Sequence, residues 1–246
     1  MNKVILNPKF SRLSDFINQL PDSFATAGQT VYQARNVIKV FEKEGFRLNV
    51  KSYHIPIFIN QIIYSFLRPT KARRAYEYAM EVRRRGVETP EPVAYIECRR
   101  FGLLRASYFV SIQCDMPGIM RTFLDSDVTN EGKLDLIEAF ARYSARLHES
   151  QILHVDYSPG NILFEKKEDG YHFSLVDINR MHFGAVDMPT GCHNFARLCG
   201  NEEFFRLLAH YYAQERGFDE AQCLDLILRY RNEDRKKRQQ KWRIIK

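Results

Sequence analysis

The chain has 246 residues, 45% of them apolar and 13% aromatic, enough for one two-lobed domain or two small ones with a sizeable core. Its five cysteines are odd in number and form no Cys-x-x-Cys pair, which argues against a disulfide framework or a thiolate zinc site and for reduced thiols. The net charge of +7 is unevenly spread: 18 basic against 9 acidic residues over 1–114, 10 against 19 over 115–228, and 9 against 2 over 229–246.

Residues 1–24 lack the continuous apolar stretch of a secretion signal, and no run approaches the ~18 residues of a membrane span. The chain is therefore expected in the cytosol. Leu13, Phe16, Ile17 and Leu20 predict a short helix behind Ser11 or Ser14. From Thr30 the pattern turns to strands, 30–33, 37–41 and 47–53, joined by Ala34-Arg35-Asn36 and by a polar turn ending in Gly45. Lys51 falls on the third of these strands and Lys39 on the second. The first turn has no glycine, and Gly28 stands too early to supply one.

Residues 55–67 (IPIFINQIIYSFL) are the most apolar stretch, only ~20 Å long as a helix and broken by Asn60 and Gln61. They are expected to pack on the first lobe; the alternative is a membrane interface, with Arg68, Lys71, Arg73 and Arg74 as headgroup partners. Lys71 to Arg85 predicts a helix stopped by Gly86, carrying Glu77 and Glu81 one turn apart. Val93–Cys98 and Arg105–Gln113 predict a hairpin. Cys114-Asp115-Met116-Pro117-Gly118 then reads as a hinge, where Asp115 and its neighbours would meet an adenine through the backbone.

A long amphipathic helix over Glu131–Ser150 leads into His154-Val155-Asp156-Tyr157-Ser158-Pro159-Gly160-Asn161-Ile162-Leu163, and sixteen residues past Asn161 comes Asp177. That spacing is the catalytic loop and metal-binding aspartate of protein-kinase-like phosphotransferases. Phosphoryl transfer needs a carboxylate near the acceptor hydroxyl, oxygen ligands for Mg²⁺ and a cation on the nucleotide phosphates. Asp156 would be the first, Asn161 and Asp177 the second, and Lys51 the third, with Lys39 as its rival and Glu77 or Glu81 as its helix partner. Strands 161–165 and 171–176 place Asn161 and Asp177 at neighbouring hairpin ends, which suits Mg²⁺ with its few protein ligands. His148-Glu149 lacks the second histidine of a zinc protease, and His154 reads as a structural hydrogen-bonder.

Beyond Asn179 the chain has neither an Ala-Pro-Glu landmark nor a long activation segment; helices are expected near 195–198, 202–215 and 219–231. The basic stretch 229–246 reads either as a solvated, frayed helix end or as an anionic-membrane contact, with Trp242, Ile244 and Ile245 at the interface. Aromatic interleaving is too sparse to favour nucleic acid. The charge asymmetry suits an ATP kinase, with a basic phosphate-handling lobe and an acidic lobe for metal and acceptor.

The loop His154-x-Asp156-x-x-Pro159-Gly160-Asn161 resembles those of aminoglycoside phosphotransferases and choline kinases; protein kinases usually carry lysine where Ser158 stands. Together with Lys51, Ala72-Arg-Arg-Ala-Tyr-Glu77, Gly86-Val-Glu-Thr-Pro-Glu-Pro-Val-Ala-Tyr95 and Asp177, the pattern over about 30–200 is similar to bacterial lipopolysaccharide kinases, which phosphorylate Kdo or heptose of the inner core. The resemblance implies an α+β, protein-kinase-like two-lobed fold: a sheet-rich lobe over 1–113, a mainly helical lobe over 114–228, and a basic tail over 229–246. It implies Asp156 as base, Asn161 and Asp177 as Mg²⁺ ligands, Lys51 as phosphate lysine, and a lipopolysaccharide or lipid A–core precursor as acceptor, met at the inner face of the inner membrane. The departures are the glycine-free first turn, Asp177-Ile-Asn in place of Asp-Phe-Gly, and Ala75 where such kinases often have the helix glutamate. The competing readings are a small-molecule or atypical protein kinase, and a pseudokinase or membrane-associated scaffold.

Overall fold

The computed structural model describes residues 2–53, 68–124 and 131–245, the side chains of 131–132 and 241–245 excepted. The expectations for residues 55–67 lie outside the described residues. The chain forms two compact units, residues 1–84 with 89–115, and residues 85–88 with 116–246.

The first unit is built on a six-stranded antiparallel sheet: β1 (Lys3–Leu6), β2 (Gln29–Gln33), β3 (Val37–Lys43), β4 (Phe46–Ser52), β5 (Pro92–Arg100) and β6 (Leu103–Ile112), in the order β1-β5-β6-β4-β3-β2. The meander and the hairpin are where the turn chemistry predicts them. β1, which pairs with β5, is an addition: four residues are too few to show a period. A 3-10 segment (Pro8–Leu13) and helix α1 (Ser14–Ser23) cover one face of the sheet. Phe10, Leu13, Ile17, Leu20 and Phe24, three or four residues apart, are buried against Phe41, Leu48, Val50, Ile96 and Val110. Burying each such side chain stabilises by roughly 1.5–3 kcal/mol. Helix α2 (Lys71–Arg84) packs on the other face, placing Ala72, Ala75 and Tyr76 among Tyr53, Tyr95 and Phe109. Its start is moored to the sheet: Thr70 Oγ1 accepts from the Arg73 amide (3.1 Å) and donates to the buried carboxylate of Glu97 on β5 (2.8 Å).

Strand parity separates the two candidate lysines. Leu48 and Val50 of β4 belong to the α1-side core, so Asn49, Lys51 and Tyr53 face the α2 side, with Lys51 opposite Phe109 of β6. Lys39 of β3 stands opposite Val50 and therefore points to the α1 face. There its ammonium donates to the carbonyls of Phe24 (2.7 Å), Ala25 (3.1 Å) and Ala27 (3.0 Å) just past the end of α1, and only 8% of the residue is exposed. A cation on the carbonyls at a helix C-terminus meets both unsatisfied acceptors and the negative end of the dipole. Lys39 is a structural clamp, its ammonium spent on carbonyls and not offered to phosphates.

The second unit has β7 (Gly118–Ile119), α3 (Met120–Leu124), α4 (Glu131–Glu149), β8 (Ile152–His154), β9 (Ile162–Lys167), β10 (Gly170–Leu175), β11 (Met181–Phe183), α5 (Met188–Asn194), α6 (Glu202–Arg216) and α7 (Glu220–Ile245). β7, β9 and β10 form a three-stranded sheet, and β8 pairs with β11. The helix expected to stop at Arg231 runs on to Ile245. No glycine or proline interrupts residues 219–245, arginine, lysine, glutamine and glutamate are good helix formers, and Asp234 supports Arg238 one turn on (2.5 Å). Among the described residues no helix is long and apolar enough to cross a membrane.

Replacing Lys39 with Met should remove three hydrogen bonds, the one to Phe24 buried, and cost on the order of 2 kcal/mol. Denaturant titration checks this: an unfolding midpoint equal to that of the unaltered chain would show that the lysine is no clamp.

Candidate active site

The acidic loop begins at β8 and is fixed by His154, which is completely buried. Its Nε2 lies 3.1 Å from the Val176 carbonyl and its Nδ1 accepts from the Asp156 amide (3.1 Å). A carbonyl only accepts and this amide only donates, so the ring is the neutral Nε2–H tautomer. Burial, the largest influence, holds the imidazole below its ordinary range. His154 thus ties the backbone carrying Asp156 to the strand end carrying Asp177.

Asn161 makes a second tie. It closes the 3-10 turn Pro159–Asn161, its amide donating to the Ser158 carbonyl (2.9 Å), while its side-chain Nδ2 donates to the Asp156 carbonyl (2.9 Å). Val176 N donates to Asn161 O (3.0 Å), one step beyond the Ile162↔Leu175 pair of β9 and β10. Asn161 therefore lies across from Val176, with Asp177 next along the chain. At Asp177 the backbone turns left-handed (φ +56°), uncommon for a residue other than glycine, and its Oδ1 accepts from Asn179 Nδ2 (2.6 Å). An amide oxygen and a carboxylate are the hard-oxygen donors that Mg²⁺ takes, its other ligands being phosphate and water.

Three arginines that the motif did not reveal surround the loop. Asp156 Oδ1 is sealed from solvent against the Arg197 guanidinium, an ion pair without good hydrogen-bond geometry, and its Oδ2 lies 3.6 Å from Arg180 Nη1. Arg121 of α3 lies over the turn, where a Cβ on Gly160 would come within 2.6 Å of Nη2, so a larger residue there would displace the guanidinium. Arg180 follows Asp177-Ile178-Asn179 directly in the chain. Arg197 has no local signal, because a turn forty residues downstream delivers it.

Behind the loop runs a chain of hydrogen bonds, buried from Tyr212 inward. Arg216 Nη1 donates to Tyr212 Oη (3.0 Å), Tyr212 Oη lies 2.9 Å from His148 Nδ1, His148 Nε2 lies 3.1 Å from Asn194 Oδ1, and Asn194 Nδ2 donates to the His154 carbonyl (2.9 Å). With His148 neutral, every donor meets an acceptor in one direction. Burial depresses His148 to about 4, against a smaller opposing effect of the Asn194 bond, which keeps it neutral near pH 7. The chain also demands Gly191, since a Cβ there would sit 2.1 Å from the Tyr212 hydroxyl. Tyr157, within the loop, is buried and bonded to Ser144 of α4 (2.8 Å).

In the first unit, the Lys51 ammonium lies 5.3 Å over the Tyr53 ring, on the α2 face. Glu77, expected as its partner, is instead on the exposed flank of α2, with its carboxylate held by Arg73 one turn earlier (2.7 Å). Glu81 pairs with Arg84 (2.7 Å). The buried residues of α2 are Ala72, Ala75, Tyr76, Ala79 and Val82, and a carboxylate is not among them. Helical phase explains the miss: 77 lies about 100° from 76 and turns toward solvent. Asp115, expected at the hinge, pairs with Arg47 through exposed side chains. The Cys114 carbonyl beside it already accepts from Gln113 Nε2 (2.9 Å), and Gln113 Oε1 accepts from Asn49 (2.8 Å).

A model of the lipopolysaccharide kinase (Kdo/WaaP) family matches residues 25–230. The chain belongs to that family. It is an ATP-dependent kinase that phosphorylates a sugar hydroxyl of the lipopolysaccharide core. Among solved structures, this Kdo/WaaP-family kinase is similar to a WaaP in complex with acyl carrier protein, at 18% identity and a TM-score of 0.65, over 94% of this chain and 98% of that one. It also matches the Rio2 kinase–ADP/Mg²⁺–phosphoaspartate complex from Chaetomium thermophilum, at 15% identity and a TM-score of 0.46, over 89% of this chain and 67% of that one. The Mycobacterium tuberculosis PknI kinase domain follows at 14% identity and a TM-score of 0.41, over 79% and 74%. No curated protein matches by sequence. The first of these likenesses carries the fold: a sheet-rich unit and a helical unit of kinase type.

Because His148 titrates at 6.5 when unfolded and at about 4 when folded, the unfolded chain takes up this proton first on acidification. Its share of stability is intact above pH 6.5 and is lost as pH falls toward 4, by on the order of 3 kcal/mol for this burial. Urea titrations across that window should show the decline in the Kdo/WaaP-family kinase and a shallower one in His148→Gln. Equal slopes in the two proteins would rule out the histidine as its source.

Proposed function

We propose that Asp156 is the base of the transfer, that Asn161 and Asp177 hold Mg²⁺, and that Lys51 pairs with the phosphates of ATP. The observation that carries this reading is the common tethering of the three acidic-site residues: His154 joins the Asp156 amide to the Val176 carbonyl, and Asn161 bonds both Asp156 and Val176. Three groups so tied keep their spacing without substrate, which is the positioning that phosphoryl transfer asks of a protein. In the reaction the acceptor hydroxyl oxygen bonds to the γ-phosphorus, the bond from that phosphorus to the β,γ-bridging oxygen breaks, ADP leaves, and the hydroxyl proton passes to the Asp156 carboxylate. Bound Mg²⁺ would neutralise charge on the phosphate oxygens. The opposed faces of Lys51 and Lys39 support Lys51 as the phosphate cation, since Lys39 is consumed by three carbonyls.

The acceptor is a Kdo or heptose hydroxyl of a lipid A–core precursor, and the kinase meets it as a peripheral protein at the inner face of the inner membrane. Family membership supports the acceptor class. The positive charge along α7 supports work beside anionic lipid.

Asp156→Asn should abolish transfer to a core acceptor while leaving ATP binding within about twofold, because the amide keeps the shape and loses the proton acceptor. Lys51→Ala should raise the KM for ATP by about tenfold or more. Phosphate transfer followed with radiolabelled ATP checks both, and full turnover by Asp156→Asn would remove the base from the mechanism.

A further inference from the structure

Next to the acidic loop is a cleft of about 260 Å³, formed by residues 196–200 and the middle turns of α7, 231–238. Four arginines line it, Arg197, Arg231, Arg235 and Arg238, against one acid, Asp234. Arg231, Arg235 and Arg238 follow one another at four and three residues, so they share one face of the helix.

Three of the four are held in place. Arg231 donates to the Gly200 carbonyl (2.9 Å), with its guanidinium 4.5 Å over the Phe205 ring. Arg238 is held by Asp234 (2.5 Å), and Arg197 by Asp156. Arg235 has no acidic partner among the described residues. Burial, and then the charge of Arg235, push the Arg231 guanidinium below its ordinary range, so like charges crowd here. Asp156 and Asp234 answer Arg197 and Arg238, which leaves Arg231 and Arg235 without an acidic partner among the described residues; a bound anion would offset that excess, and the planar guanidinium forks suit phosphate or carboxylate.

The position of Arg197 gives the cleft a meaning for the reaction. It lines the cleft and also occupies the carboxylate assigned as the base. The guanidinium covers that oxygen and stabilises its negative charge, so a hydroxyl proton is less drawn to it. Resting on the kinase reading above, we propose that this cleft binds a phosphate or carboxylate of the acceptor glycolipid, and that the bound anion draws Arg197 away from Asp156. The carboxylate is then open to the acceptor hydroxyl only when the acceptor is seated, which restrains transfer to water. Arg231, Arg235 and Arg238 act in acceptor binding, and Arg197 is a positioning residue.

A deacylated, water-soluble core acceptor reads the cleft apart from any membrane. Arg235→Ala and Arg238→Ala should each raise the acceptor KM about tenfold, with kcat and the KM for ATP within about twofold, as expected for loss of one charge-assisted contact. Acceptors lacking the phosphate, or carrying the carboxylate as its amide, identify which anion is read: the one whose loss abolishes the difference between Arg235→Ala and the unaltered kinase. Arg197→Ala should raise ATP hydrolysis without acceptor severalfold, with inorganic phosphate and ADP as products, while also weakening acceptor use. Unchanged acceptor KM in both α7 variants would overturn the acceptor site, and hydrolysis no faster in Arg197→Ala would overturn the gating role. A defect confined to acceptor embedded in anionic vesicles would overturn it in favour of a membrane-contacting surface. If the unaltered protein transfers nothing to a core acceptor, the kinase reading fails by itself, and thermal protection by millimolar inorganic phosphate, with ADP saturating, then decides the cleft. Its loss in the Arg235→Ala/Arg238→Ala double variant supports an anion site, and equal protection overturns it.

Discussion

The hydrogen bonds that converge on His154 are the constraint on which the second unit depends. Its ring bonds forward to the Asp156 amide and across to Val176, and its carbonyl is the last acceptor in the chain from Arg216 through Tyr212, His148 and Asn194. A chain with one direction of donation is specific because no member can reverse without leaving a neighbour unsatisfied in a dry interior. The elements it crosses, α4, α5 and α6, are those that carry the loop. The acidic residues thus owe their spacing to a polar spine as much as to the short strands on either side of them.

The first unit solves its positioning problem by alternation. β3 and β4 are neighbours and each carries a lysine, yet one lysine closes the end of α1 and the other lies on the α2 face. The two roles differ only in which side of the pleat each residue occupies, and the sheet fixes that side because its α1 face is filled by aromatic and aliphatic side chains.

Much of this was legible in the chain itself. The meander, the hairpin and α4 followed from period and turn residues, and the spacing of Asp156, Asn161 and Asp177 identified the loop because local backbone geometry ties those three together. Lys39 and Lys51 were harder to separate. Parity along each strand was visible, but which face α1 would cover was a tertiary fact. Glu77 turns to solvent because the phase of α2 against the sheet, a tertiary fact, puts Ala72, Ala75 and Tyr76 inward. Arg197 and the spine residues carry no local pattern; burial and long-range packing bring them to the loop. The four-residue β1 was below the length at which alternation can be seen.

The length of α7 bears on the charge that it carries. Asp219 caps its first turn, accepting from the Gln222 amide (2.8 Å), and Glu220 and Asp225 lie near its start, while Arg235, Lys236, Lys237 and Arg238 lie in its latter half. The acids at the amino end meet the positive end of the helix macrodipole, whereas Arg235 to Arg238 lie more than a turn short of Ile245, too far in for its negative end to hold them. The basic stretch draws its support from within the helix, through the Asp234–Arg238 pair one turn apart. Neutralising Arg238 would therefore release Asp234 as well as change what the surface attracts.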